Sequence, residues 1–208
     1  MTSEFNYEKF ISGVRVCEDY PDHSFHSRFR SMTNAIPKGA RVLDIACGAG
    51  TLMKALEEKG CVCTGIDLAP GAVKLARSKG LNVHRGDVDS FVENPEVAAI
   101  LLAEYDYVIF SKCLIYLQRR NELMPRLRTK HIFINQTNPY YWRTLVGQVK
   151  IGFVGKFLSA DGVEMNVNSP GGLMRWGESY GYRARRLHGG WIRGKDMVIA
   201  LTKIGAAG

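Results

Sequence analysis

Residues 42–50 read Val42-Leu43-Asp44-Ile45-Ala46-Cys47-Gly48-Ala49-Gly50. The first half has the apolar, β-branched character of a buried strand, and the second half is a tight glycine-bearing loop. Thr51 to Lys59 follows with helical spacing of Leu52, Ala55 and Leu56, and Gly60 stands where a helix C-cap is expected. A ligand can approach the backbone closely at such a turn, because Gly48 and Gly50 carry no Cβ. The helix N-terminus just beyond supplies unpaired N–H donors that suit a carboxylate or a phosphate.

The same pattern repeats on the C-terminal side. Cys61 to Ile66 reads as a second strand ended by Asp67, and Pro70 to Lys79 as a helix closed by Gly80. Leu81 to His84, Tyr105 to Phe110 and His131 to Asn135 read as three further strands, with a short helix within 90–104. On the N-terminal side, residues 5–36 read as helical, broken at Pro21 and ended by the turn Pro37-Lys38-Gly39. A helix over 169–180 precedes two strands, Tyr182 to His188 and Asp196 to Lys203, joined through Gly189-Gly190-Trp191. The fold class expected is α/β, a doubly wound, mostly parallel seven-stranded sheet whose last strand is antiparallel. The closing hairpin is expected to form an antiparallel edge.

A length of 208 residues suits one α/β domain. The expected organisation is a single domain over 1–208, with an N-terminal helical lid at about 1–36 and an insertion after the fifth strand at about 138–168. A hydrophobic fraction of 46% excludes a disordered chain, and no apolar run approaches the roughly 20 residues of a membrane span. The opening MTSEFNYEKF carries early acids and no apolar stretch, so no secretory leader is expected and the chain is placed in the cytoplasm. The cysteines (Cys17, Cys47, Cys61, Cys63 and Cys113) are odd in number, without CxxC spacing or an accompanying His, so no metal site is expected. The formal net charge of +8 raises the question of nucleic acid or an anionic substrate. The basic residues are scattered apart from Arg183, Arg185, Arg186, Arg193 and Lys195, and alternation at Arg183-Ala184-Arg185 points to a solvated strand face. That distribution argues against a nucleic-acid partner.

Three more signals fall at the ends of predicted strands. Gly65-Ile66-Asp67-Leu68 places an acid where it can accept both hydroxyls of a ribose; a helix N-cap is its other reading. Gly86-Asp87-Val88 places a carboxylate where it can take a hydrogen bond from an adenine amino group, or close an Asx-turn. Tyr105-Asp106-Tyr107-Val108-Ile109-Phe110-Ser111-Lys112 ends beside the same crevice. In open α/β sheets ligands bind outside the carboxyl ends of the strands, and all four signals lie there.

In this order, VLDIACGAG, GIDL, RGDVDS and YDYVIFS resemble motifs I to IV of the class I S-adenosylmethionine (SAM)-dependent methyltransferases. The resemblance covers residues 40–136, and the antiparallel tail is similar to the reversed last strand of that fold. It implies SAM as cofactor and S-adenosylhomocysteine (SAH) as product. The cofactor-binding residues it implies are Asp44, Ala46, Gly48, Gly50, Asp67, Leu68, Asp87, Val88 and Ser111, with Tyr20 toward the methionine carboxylate. Ala46 stands where many members have glycine, a change judged small by side-chain size. A nicotinamide enzyme would show a third glycine after Gly48-Ala49-Gly50, where this chain has Thr51-Leu52-Met53.

Methyl transfer from a sulfonium is an in-line displacement, so the protein mainly aligns the acceptor and excludes water. Candidate catalytic residues are His23, His26 and Tyr116. Lys112, Tyr140, Tyr141 and Trp142 are candidate substrate-binding residues, and the basic side chains of 138–168 favour an acidic small molecule. A second, narrower resemblance joins Asn135-Gln136-Thr137-Asn138-Pro139-Tyr140-Tyr141-Trp142-Arg143, with Asn166-Val167-Asn168, to the MetW-type methionine-biosynthesis proteins. It implies a methyltransferase fold that acts with a homoserine acyltransferase. Two readings therefore stand: a small-molecule O-, N- or C-methyltransferase, or a SAM-binding partner of an acyltransferase. A nucleic-acid methyltransferase is the lesser alternative, and a homodimer is compatible with either.

Overall fold

The apolar runs pair into one twisted sheet. A computed structural model of the chain describes residues 27–137, 157–158, 164–165, 170–189 and 196–205. The strands of the sheet are β1 (Arg41–Ile45), β2 (Val62–Asp67), β3 (Val83–Arg85), β4 (Glu104–Ser111), β5 (Arg128–Thr137), β8 (Tyr182–His188) and β9 (Asp196–Lys203). They lie in the order β3-β2-β1-β4-β5-β9-β8. Phe157–Leu158 (β6) and Glu164–Met165 (β7) form a separate antiparallel ribbon.

Helices cover both faces. α1 (Ser27–Ala35), α2 (Thr51–Glu58) and α3 (Pro70–Ser78) lie on one side. There Met32, Leu52, Leu56 and Val73 close over Val42, Ile109, Phe133 and Val198. α4 (Pro95–Leu101), the short α5 (Arg120–Leu123) and α6 (Pro170–Ser179) lie on the other. There Val97, Leu101, Leu123 and Leu173 close over Leu43, Val108, Ile134 and Ile199. The central strands are buried on both faces, as their continuous apolar sequences require. Met32 and Ile36, within the expected N-terminal lid, are fully buried, so that part of the lid belongs to the core.

The closing hairpin forms the antiparallel edge expected of it, with β9 against β5 and β8 outermost. Burial explains that order. Met197 to Leu201 is buried on both faces, whereas β8 leaves Arg183 and Arg185 exposed. A strand apolar on both sides needs two neighbours, and one studded with charge tolerates an open edge.

Candidate functional site

The chain leaves β1 for the α1–α3 face and leaves β4 for the α4–α6 face, so a crevice opens between their C-terminal ends. Loops from four strands border it, and they are laced together.

The glycine loop comes first. Gly50 N–H closes a turn on Cys47 O at 3.0 Å, and Gly48 and Gly50 take φ of 56° and 74°. The two glycines serve different ends. A Cβ on Gly50 would overlap Leu81 Cδ1, so that glycine lets α2 pack on the α3–β3 connection. A Cβ on Gly48 would meet nothing within 4 Å, so Gly48 borders open space. Ala46 also takes a left-handed φ, 56°, so the burden of lacking glycine there is carried by the backbone rather than by side-chain size. α2 begins without a side-chain cap, which leaves its first N–H groups to a ligand or solvent.

Asp67, at the end of β2, holds the loops in register. Its Oδ2 accepts from Gly48 N at 2.7 Å, its Oδ1 from Ala69 N at 2.8 Å, and its carbonyl from Gly86 N at 3.0 Å. Asp67 is not the helix N-cap, which is Ala69 without a side-chain cap bond; its turn to Ala69 N and its bond to Gly48 N fill two of a carboxylate's about four acceptor positions. Burial raises its pKa, and the two N–H donors pull it back. Asp44, on β1 beneath the loop, is 2% exposed and its Oδ1 has no hydrogen-bond partner. Burial first, and then the Asp67 charge, push its carboxyl up to about 8.

The loop after β3 carries both Asp87 and Asp89. Asp87 is exposed and closes an Asx-turn on Asp89 N at 3.0 Å, while Val88 is buried and Leu68 half-buried. Asp89, which the motif reading passed over, accepts from Gln118 N and Arg119 N, both at 2.9 Å. It thereby ties the loop after β3 to the segment after β4. A second acid two residues beyond Asp87 was the available signal.

At the end of β4, Lys112 takes φ 63°, an unusual conformation for a residue other than glycine. Its ammonium reaches across β5 to pair with Asp196 and donates to Thr137 Oγ1 at 3.1 Å. Cys113 Sγ donates to Ile45 O at 3.2 Å, tying the same segment back to β1. Tyr116, half-buried, closes the turn that follows, its N–H on Cys113 O at 2.8 Å. Ser111 Oγ accepts from Asn135 Nδ2 at 3.1 Å. Asn135 and Gln136 are 1% and 3% exposed, and Asn135 Oδ1 and both side-chain polar atoms of Gln136 lack partners. Two amides at the end of the otherwise apolar run His131 to Ile134 were their signal in sequence.

Asp44, Ala46, Gly48, Gly50, Asp67, Leu68, Asp87, Val88, Ser111, Lys112 and Tyr116 thus lie at the C-terminal ends of β1 to β4 or in the segments that follow them. Tyr20, His23, His26, Tyr140, Tyr141 and Trp142 lie outside the described residues. Among the described residues no cluster of His, Cys, Asp or Glu could hold a metal ion, and no helix is long and apolar enough to cross a membrane.

Solved structures share this architecture. A SAM-dependent methyltransferase from Archaeoglobus fulgidus aligns with a TM-score of 0.65 at 18% identity, covering 85% of this chain and 92% of that one. The magnesium protoporphyrin IX methyltransferase of Synechocystis PCC 6803, with bound SAH, aligns with a TM-score of 0.66 at 15% identity, covering 96% and 95%. Curated relatives match over shorter stretches. The ubiquinone biosynthesis O-methyltransferase of Bordetella avium is 34% identical over 87 residues, 42% of this chain and 36% of that protein. That of Xylella fastidiosa (strain 9a5c) is 56% identical over 43 residues, 21% and 18%. The matches therefore span well under half the length of these relatives. The family model of methionine biosynthesis protein MetW matches residues 26–158, more than half the chain, and takes in every loop that borders the crevice. On this fold and this match, the chain belongs to the MetW family, built on the class I SAM-dependent methyltransferase fold.

Proposed function

We propose that this chain binds SAM in the crevice between β1 and β4 and methylates a small molecule. The observation that carries the reading is the buried, unpartnered Asp44 oxygen beneath a glycine loop whose Gly48 borders open space. An orphaned buried acceptor is costly unless a donor arrives with a ligand, and the ammonium end of SAM is such a donor. The remaining residues fit the same group. Asp67 keeps acceptor capacity for ribose hydroxyls, Asp87 is exposed toward an adenine edge, and the uncapped start of α2 suits a carboxylate. When bound, SAM supplies a methyl group already activated on its sulfonium. The chain's own task is to hold an acceptor in line and keep water out. In the same reading residues 1–26 and 138–168 complete the acceptor side, with His23, His26, Tyr140, Tyr141 and Trp142 among them, and Tyr20 reaches the methionine carboxylate of the cofactor. The names of the curated relatives support O-methylation of a small molecule.

Calorimetric titration with SAH is the test. We expect binding by the unaltered chain and an affinity weaker by about tenfold to a hundredfold in Asp67→Ala, the loss of a charge-assisted bond. An absence of binding, or affinity indifferent to Asp67, overturns the reading. The family match favours a second reading, in which the bound cofactor makes the chain a partner of a homoserine acyltransferase. Incubation of a host metabolite extract with methyl-labelled SAM separates the two. Label transferred to a metabolite supports catalysis. Absence of label, with an acyltransferase recovered in equal amount on purification, supports the partner role.

A further inference from the structure

The end of β5 holds groups that the cofactor reading does not use. Asp44 pairs in register with Ile109, and Ile109 with Phe133, so all three side chains share the α1–α3 face. Two residues on, Ser111 pairs with Asn135 on that same face, and Asn135 with Val198. A polar band therefore crosses the C-terminal ends of β1, β4 and β5 over an otherwise apolar sheet. Asn135 spends its Nδ2 on Ser111 Oγ, and its Oδ1 has no partner although the residue is 1% exposed. A buried amide oxygen without a donor is destabilising, and a leucine there would avoid it. Asn135 also stands two strands from β1, about 10 Å at the usual strand spacing. That places it beyond the glycine loop and on the acceptor side.

We propose that the Asn135 carboxamide is the recognition group for the methyl acceptor, and that it selects an uncharged hydroxyl or amine over a carboxylate or phosphate. The inference rests on the methyltransferase reading above. Its chemical basis is the sense of the orphaned atom: an amide oxygen can be satisfied only by an N–H or O–H, which an ionised acid does not carry. Lys112 does not reverse the preference, because its ammonium is paired with Asp196 and bonded to Thr137. This preference departs from the acidic acceptor expected from the basic residues of 138–168, of which Arg143, Lys150 and Lys156 lie outside the described residues.

The test uses the full chain saturated with SAH and four simple probes: phenol, aniline, benzoate and phenyl phosphate. Phenol and aniline are expected to raise the melting temperature by about 3–5 °C at ten times their Kd, with no shift from the two anions. Asn135→Leu is expected to lose that shift, keep SAH affinity within about twofold, and melt no lower than the unaltered chain without ligand. Asn135→Ala serves as the second variant, with the same loss of the probe shift. A larger shift from benzoate or phenyl phosphate, no shift from any probe, or a phenol shift that survives in both variants overturns the inference. So does a joint fall of stability and SAH affinity in both, which marks a structural amide. Failure of the unaltered chain to bind SAH removes the methyltransferase reading first, and this inference with it.

Discussion

Ala46 in the glycine loop and Asp44 beneath it show how single residues trade stability for a site. Ala46 occupies a left-handed conformation that costs a non-glycine residue about 1–2 kcal/mol. Replacing it with glycine removes that strain but loosens the unfolded chain by about 0.4–1 kcal/mol. Ala46→Gly is therefore expected to stabilise the protein by up to about 1.5 kcal/mol, read by urea denaturation; a loss of stability would contradict the backbone argument. Asp44 acts through protons. Its folded carboxyl titrates at about 8, against 3.8 for an ordinary aspartate, so between those values the folded state holds the extra proton. Stability from this group is complete below about pH 4 and is lost as the pH rises toward 8. The ligand-free chain should melt progressively lower over that range, and Asp44→Asn should flatten the trend. Equal slopes in the two proteins would show that Asp44 is not its source.

Between elements, the site depends on side chains that bridge loops. Asp67 joins the ends of β1 and β2 and the start of α3, and Asp89 joins the loop after β3 to the segment after β4. Asp89 has no place in the cofactor reading itself, so its removal isolates the bridging role. Asp89→Ala is expected to cost about 1–2 kcal/mol, as for other carboxylates that accept backbone N–H groups at a turn. SAH affinity should fall several-fold, because Asp87 sits on the loop that is released. Arg119 is also held by Glu93 at 2.7 Å, so the segment should loosen rather than unfold. Unchanged SAH affinity in Asp89→Ala would show that the two loops hold their positions independently.

At the level of the whole molecule, the two helical layers assign the crevice. Among the described residues three helices pack on each face, and the reversal of winding between β1 and β4 opens the sheet's carboxyl edge where their loops part. The insertion of β9 beside β5 brings Asp196 next to Thr137, and so gives Lys112 a counter-charge 84 residues away. The Lys112 ammonium is thereby neutralised at the end of β4.

What the sequence determined was everything set by local periodicity and turn chemistry. Apolar runs of strand length are enough to mark β1, β2 and β4 and the α/β class, and the glycine and acid that follow β1 and β2 single out Gly48 and Asp67. The hairpin edge was legible from adjacency in the chain, and the apolar character of Met197 to Leu201 against the arginines of β8 agrees with β8 lying outermost. Other features needed the tertiary structure, because they are relations between distant residues. The left-handed turn at Ala46, the two N–H donors on Asp67 and the clasp of Asp89 on Gln118 and Arg119 depend on how loops meet. Whether the buried oxygens of Asp44 and Asn135 find partners is likewise decided by neighbours on other strands. A hydrogen bond's absence is a property of the surroundings, and no local pattern encodes it.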